Sequence, residues 1–354
     1  MNENRPSIIA LYQEPNINQI NDFKYTYRKA TISESMNLKL YLKTFWMDYL
    51  VIIILGAIGL GVNVLRPVPN RLFPVYFRDG EIVNPEFAYP FRNNIIPSWL
   101  DGLIAFIIPC MFIMLMQIRV RSFNDANTAI MGLIFSLITG AVFQVLIKWL
   151  IGGLRPHFFS VCKPNITPAN IGSGNGFNGI MFDRSICTGD EKQINFALSS
   201  MPSGHATAAF AGFLYCSYYL NGKLKIFANY RPQYWKLVLF YTPILAAVLI
   251  AASLTIDHYH HWYDILVGGI IGSMIATGAY RFQYASIWDY RFNHIPLPRI
   301  GAEIGYDYGL EEFNVIPGSR KGGWNETKSQ IYGAPFDAYR NEVKKTTSYV
   351  DAGV

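Results

Sequence analysis

The chain has 354 residues, 51% of them hydrophobic and only 15% charged, with a formal net charge of +6. Soluble domains carry nearer ~25% charged residues, so the composition points to a membrane protein. The charge is too mild, and too scattered among the aromatics, for a nucleic-acid binder, and none is expected as a partner.

In chain order, residues 1–44 are polar, with neither a charged-then-apolar start nor a small-residue cleavage site, so no removable signal peptide is expected. Six apolar spans follow: Phe45 to Leu65, Trp99 to Ile118, Ala129 to Leu150, Ala206 to Leu220, Lys236 to Leu254 and Trp262 to Tyr280. Each is near the ~20 residues a helix needs to cross a bilayer. The fourth is the shortest, and its "ATAAFAGFLY" is rich in the small residues of a helix packed inside a bundle. The expected fold is all-α, a six-transmembrane helical bundle over 45–285, with an N-terminal arm at 1–44 and a C-terminal tail at 286–354.

Basic residues orient the spans. Arg5, Lys24, Arg28, Lys29, Lys39 and Lys43 precede the first span; Arg119 and Arg121 fill the second loop; Lys223, Lys225 and Arg231 fill the fourth; Arg281 opens the tail. The fifth loop has no Lys or Arg, and the long first and third loops have few. Both termini are therefore expected in the cytoplasm, with the odd-numbered loops lumenal or extracellular.

Threaded this way, three polar stretches meet at one end. "KWLIGGLRP" (148–156) leaves the third span, "SSMPSGHATAAF" (199–210) enters the fourth, and "SLTIDHYHHWYDILVGG" (253–269) joins the fifth to the sixth. Ionisable groups at membrane depth are costly and mark function. Lys148 and Arg155 would share a face if the helix continued, which Gly152 and Gly153 leave open. Together they offer two fixed positive charges, the guanidinium able to fork onto one phosphate. Pro202 and Ser203 read as a first turn and a cap. Backbone N–H groups of Ser203, Gly204 and His205 would then face an anion, and His205 could exchange a proton. His260 and Asp264 are four apart, so the carboxylate can steer the imidazole; His261, three from Asp264, fits almost as well. The set suits nucleophilic displacement at phosphorus.

These residues resemble the type 2 phosphatidic acid phosphatase superfamily, and within it the lipid phosphate phosphatase branch. Its signatures match at Lys148, Arg155 and Pro156, at Pro202 to His205, and at Ser253, His260 and Asp264, over roughly residues 45–300. The resemblance implies that His260 attacks the phosphate, Asp264 holds its ring, and His205 protonates the leaving alcohol and then activates water. Lys148, Arg155, Ser203 and Gly204 would hold the phosphoryl oxygens, Pro202 and Ser253 would support them, and no metal or other cofactor would be needed. The family pattern selects His260 over His261.

One position departs. Leu254 stands where the family has a second phosphate-binding arginine. Losing one such donor typically costs ~3 kcal/mol of transition-state stabilisation. Either His258 or another lumenal cation stands in, or the protein binds phospholipid with little turnover. A phosphotransferase using the same site is a further alternative, and "HYHH" could hold a metal, although histidine-rich diiron enzymes draw on several clusters. Lys148 alone could snorkel to the interface. His157 and His294 read as packing or interfacial residues.

Cys162 and Cys187 share the third loop, where an oxidising compartment would pair them; Cys110 and Cys216 lie inside spans as thiols. Asn165-Ile166-Thr167 is a glycosylation sequon in the same loop, and Asn325-Glu326-Thr327 one in the tail that should stay bare. The tail shows no pattern of an independent core. The substrate expected is a phospholipid in the bilayer; the preferred lipid, the organelle and any homo-oligomer are left open.

Overall fold

The computed structural model describes residues 38–65, 72–75, 77–78, 81–82, 85–167, 169 and 171–297. The first part of the N-terminal arm, the tail beyond Leu297 and the Asn325 sequon lie outside them. Among the described residues eight α-helices follow in order: α1 Leu38–Val64, α2 Ser98–Val120, α3 Phe123–Leu150, α4 Phe158–Cys162, α5 Glu191–Ala197, α6 Gly204–Leu224, α7 Tyr234–Ile256 and α8 Trp262–Gln283. Two short antiparallel pairs depart from the all-α expectation: β1 Phe73–Pro74 with β4 Met181–Phe182, and β2 Phe77–Arg78 with β3 Glu81–Ile82.

Among the described residues, α1, α2, α3, α7 and α8 are the five helices long and apolar enough to cross a membrane, which makes this a multi-pass membrane protein. α6 occupies the place of the expected fourth span, and its 21 residues reach about 31 Å at 1.5 Å per residue. It falls short on apolarity because it is the central helix. It packs against α2, α3, α7 and α8 and is buried along almost its whole length, so its surface meets protein rather than lipid. Close approach is what its small residues provide: a Cβ on Gly212 would sit 2.2 Å from the Ala105 carbonyl of α2, and one on Gly272 of α8 would sit 2.4 Å from the Thr207 carbonyl. α1 lies at the margin against α3 and exposes Ile53, Leu60 and Val64.

The apolar pattern gives most helix bodies but misses their polar ends. α3 begins at Phe123 rather than Ala129, because Ser122 caps it by accepting from the Asp125 N–H and Asp125 is itself satisfied inside the protein. The buried Asp125 carboxylate pairs with Lys223 of α6 and accepts from Gln117 Nε2 (2.9 Å), Tyr219 Oη (2.9 Å) and Tyr284 Oη (3.0 Å). Nearby, Lys225 donates to Asn293 Oδ1 at 2.8 Å, and the Lys223 ammonium also donates to the His294 carbonyl at 3.1 Å. Residues 284–297 thereby fold back onto the end of the bundle, with Tyr284 bridged to Pro296. His294 is fully buried there, in a packing role, and Cys216 is buried while Cys110 is partly so.

Removing Asp125 would leave Lys223 charged and unpaired in the interior. Asp125→Ala should therefore cost about 3–5 kcal/mol, measurable as a large fall in melting temperature in detergent, with Asp125→Asn intermediate because it keeps an acceptor.

Candidate active site

At the opposite end of α6 the three polar stretches converge. α3 ends at Leu150, and Gly152 (φ +59°) and Gly153 (φ +103°) turn the chain sharply in the left-handed region that favours glycine. The continuous helix that would have stacked Lys148 under Arg155 does not form. Instead Gly152 and Gly153 bridge to Met201 and Ser199, with Met201 N–H donating to the Gly152 carbonyl at 2.6 Å and Ser200 N–H to the Gly153 carbonyl at 3.1 Å. The first stretch is thus bound to the second by backbone. Lys148 remains on α3, close enough to Arg155 and Asp264 for their charges to act on it.

Arg155 is buried, its guanidinium 3.8 Å over the Phe196 ring. It donates through Nε to the Phe196 carbonyl (3.0 Å), through Nη2 to the Ser199 carbonyl (3.2 Å) and through Nη1 to the Tyr259 carbonyl (3.1 Å). Nη1 also lies 3.4 Å from His260 Nε2. Burial pulls Arg155 down to about 10, so it stays charged at neutral pH.

Ser203 caps α6, its hydroxyl accepting from the Ala206 N–H at 3.4 Å. Pro202 therefore precedes the cap instead of filling the first helical position. The Ser203 N–H is spent on the Asp264 carbonyl at 3.0 Å, so of the three amides expected to face an anion, those of Gly204 and His205 remain as first-turn donors without an intrahelical acceptor. His205 Nε2 lies 2.9 Å from the Ile96 carbonyl, which can only accept, so Nε2 carries the proton and Nδ1 is left for exchange. The charges of Arg155, Lys148 and Asp257 all act on this ring.

His260 and His261 immediately precede α8, His261 as its N-cap. The Asp264 Oδ2 atom is 3.4 Å from His260 Nδ1 and 3.6 Å from His261 Nδ1, and it accepts from the His261 N–H at 3.1 Å and from Ser200 Oγ at 2.5 Å. What separates the two histidines is their far side: His260 turns Nε2 to Arg155, whereas His261 stacks on Tyr263, edges Phe87 and lies 3.6 Å from Glu86. Burial and the adjacent Arg155 hold His260 well below its ordinary range, so its ring is neutral at physiological pH.

The His258 ring stacks on Tyr89 at 4.0 Å, with the backbone at φ +55°. His157 is buried, with Nδ1 at 2.9 Å from the His258 carbonyl. Ser253 bonds back to the Ile250 carbonyl within α7. The Leu254 side chain is fully buried, while its carbonyl accepts from the Tyr259 (3.1 Å) and His260 (3.4 Å) N–H groups. Among the described residues no group of His, Cys, Asp or Glu is arranged to hold a metal ion. Cys162 and Cys187 are joined by a disulfide in the segment flanking α4.

Three contributors had no motif to announce them. Ser200 reaches Asp264 by its hydroxyl, Gln144 lies on α3 a turn before Lys148 with its side-chain oxygen 3.3 Å from where a Cβ on Gly204 would be, and residues 85–97 cover the histidine turn. Ser200 falls inside the polar stretch 199–210 and Gln144 four residues before Lys148, and these positions were the readable signals.

A model of the PAP2 superfamily matches residues 129–288, which takes in all three stretches. Probable lipid phosphate phosphatase 4 of Arabidopsis thaliana is 35% identical over 247 residues, covering 70% of this chain and 73% of that protein. The chain belongs to the PAP2 superfamily. Its relatives place it in the lipid phosphate phosphatase branch: lipid phosphate phosphatase 1 of Arabidopsis thaliana is 31% identical over 67% of each chain. Diacylglycerol pyrophosphate phosphatase 1 of Saccharomyces cerevisiae is 29% identical over 75% of this chain and 86% of that one. No solved structure matches significantly.

Burial pushes His157 down to about 4 from an ordinary 6.5. The unfolded chain therefore binds a proton that the folded one refuses, so this contribution to stability is complete above about pH 6.5 and is lost as pH falls toward about 4. Melting temperature should decline across that window, and His157→Gln should flatten the decline while preserving a donor for the His258 carbonyl.

Proposed function

We propose that this phosphatase hydrolyses phosphatidate-like lipid phosphomonoesters through a phosphohistidine on His260, without a metal ion. The observation that carries the reading is the orientation of His260, with Nδ1 toward Asp264 and Nε2 3.4 Å from the Arg155 guanidinium. An attacking lone pair lies beside the cation that would hold the phosphoryl oxygens, and the carboxylate behind the ring stabilises the positive charge that develops there.

In this scheme Lys148, Arg155, Ser203 and the amides of Gly204 and His205 bind the phosphoryl group. His260 Nε2 attacks phosphorus, the P–O bond to the lipid breaks, and His205, entering the cycle as the imidazolium with Nε2–H kept on the Ile96 carbonyl, gives its Nδ1 proton to the departing alkoxide. Water then attacks the phosphohistidine, passing a proton to His205, and inorganic phosphate leaves with His260 restored. The place of His261 against Tyr263 and Phe87 supports His260 over His261 as the nucleophile. Phosphatidate, lysophosphatidate, diacylglycerol pyrophosphate and sphingoid phosphates all present such a phosphoryl group at the interface.

α6 serves as the fourth of six spans in this reading, with both termini cytoplasmic and the site at the lumenal or outer face. The Cys162–Cys187 disulfide supports that side, since disulfides persist in oxidising compartments. Leu254 supports a retuned site: the carbonyl that anchors the His260 turn is present whatever the side chain, and Arg155 supplies the cation next to the nucleophile.

Phosphate release from detergent-mixed phosphatidate in EDTA tests this directly. Wild type should release phosphate, and His260→Ala should lose at least about 1,000-fold, the scale of removing a nucleophile. Activity abolished by EDTA and restored by a divalent ion would overturn metal independence, and His260→Ala at wild-type rate would overturn the nucleophile. Leu254→Arg should leave kcat/KM within about tenfold; a rise of several orders of magnitude would mean that the site lacks a needed cation.

A further inference from the structure

Ser200 lies outside the residues that the catalytic scheme uses, yet it is 1% exposed and touches both members of the His260–Asp264 pair. We propose that Ser200 is a positioning residue, its hydroxyl acting with Asp264 to hold His260 in the tautomer that leaves Nε2 free to attack. The proposal rests on His260 being the nucleophile.

The argument follows from counting protons. A serine hydroxyl has one proton to give, and a carboxylate can only accept. The short 2.5 Å separation from Asp264 Oδ2 therefore takes the Ser200 proton. Toward His260 Nδ1, 3.4 Å away, Ser200 Oγ can then act only as an acceptor. Asp264 Oδ2 lies at the same 3.4 Å from that nitrogen. Two acceptors facing one ring nitrogen favour N–H there, and in a neutral imidazole this puts the lone pair on Nε2, beside Arg155.

The hydroxyl also fixes the carboxylate. Asp264 Oδ2 has a second imidazole within 3.6 Å, that of His261, and a bond to the His261 N–H. Ser200, whose Oγ is also 3.4 Å from His260 Nδ1, holds that same oxygen. Its own place is set by backbone, since its N–H donates to the Gly153 carbonyl two residues before Arg155. One residue thereby ties the Arg155 segment, the start of α6 and the His260–Asp264 pair into a single arrangement.

The test uses the full-length protein in mixed micelles with phosphatidate. Ser200→Ala removes the hydroxyl without adding volume. It should lower kcat and the single-turnover rate of phosphoenzyme formation by about tenfold to hundredfold, as expected for a bond to a charged group. KM should stay at its wild-type value, because the groups that hold the phosphoryl oxygens are untouched, while the melting temperature falls only by what one lost bond to a buried carboxylate costs. In a double-mutant cycle, Ser200→Ala should cost little more once Asp264→Asn is present. A wild-type rate of phosphoenzyme formation in Ser200→Ala, or costs that simply multiply with Asp264→Asn, would overturn the proposal. His260→Ala run alongside separates the two claims: if it still forms phosphoenzyme and releases phosphate, the underlying reading fails, and if it is inactive the Ser200 result stands on its own.

Discussion

A helix carrying Thr207, Ser217, Asn221 and Lys223 can lie at the centre of a bundle only if each polar group finds a partner there, and α6 draws its partners from every side. Thr207 bonds back to the carbonyl of the cap residue Ser203 and Ser217 to that of Phe213 in α6, and Ser217 also reaches the Phe240 carbonyl of α7. Asn221 and Lys223 are met by residues 284–297, and Lys223 by Asp125. An isolated ammonium in such surroundings would be prohibitively costly, whereas a paired and fully hydrogen-bonded one is tolerable. The ion pair and its tyrosines therefore license the burial of α6, and the burial of α6 brings Ser203 and His205 to the place where Arg155 and His260 can meet them.

The site obeys the same rule at the other end, with a different outcome. Arg155 has most of its donors committed to carbonyls, which holds its plane rigidly and leaves little to reorganise when an anion arrives. Asp264 is similarly occupied by the His261 amide and Ser200. Such preorganisation is what a catalytic electrostatic site requires, because the donors need not be gathered at the moment of reaction. The absent arginine at position 254 is consistent with this economy: the segment that would have carried it is still needed, through a main-chain carbonyl, to shape the turn that presents His260.

Much of this was legible in the sequence. Apolar runs located the long helices, and short spacings such as His260 to Asp264 encode contacts within one turn of helix. Less legible was anything joining residues distant along the chain. Asp125 and Lys223 are 98 residues apart and Ser200 and Asp264 are 64 apart, and a lone polar residue gives no periodic signal of its partner. Gly152 and Gly153 showed that a break was available but not that the broken strand would pair with residues 199–201. The Ser203 amide was misjudged for a similar reason: its acceptor, the Asp264 carbonyl, belongs to another helix.

Residues 85–97 lie across the histidine turn like a roof. Tyr89 stacks on His258, Phe91 edges His157, the Ile95 N–H donates to Asp257 at 2.7 Å, and the Ile96 carbonyl meets His205. On the proposed membrane placement a headgroup stays anchored by its acyl chains as it approaches Arg155. Encounter then takes place within a two-dimensional film. The quantity that sets the rate is the mole fraction of substrate among the surrounding lipids, and diluting the film with inert lipid slows the enzyme even when the amount of substrate per volume of water is held constant.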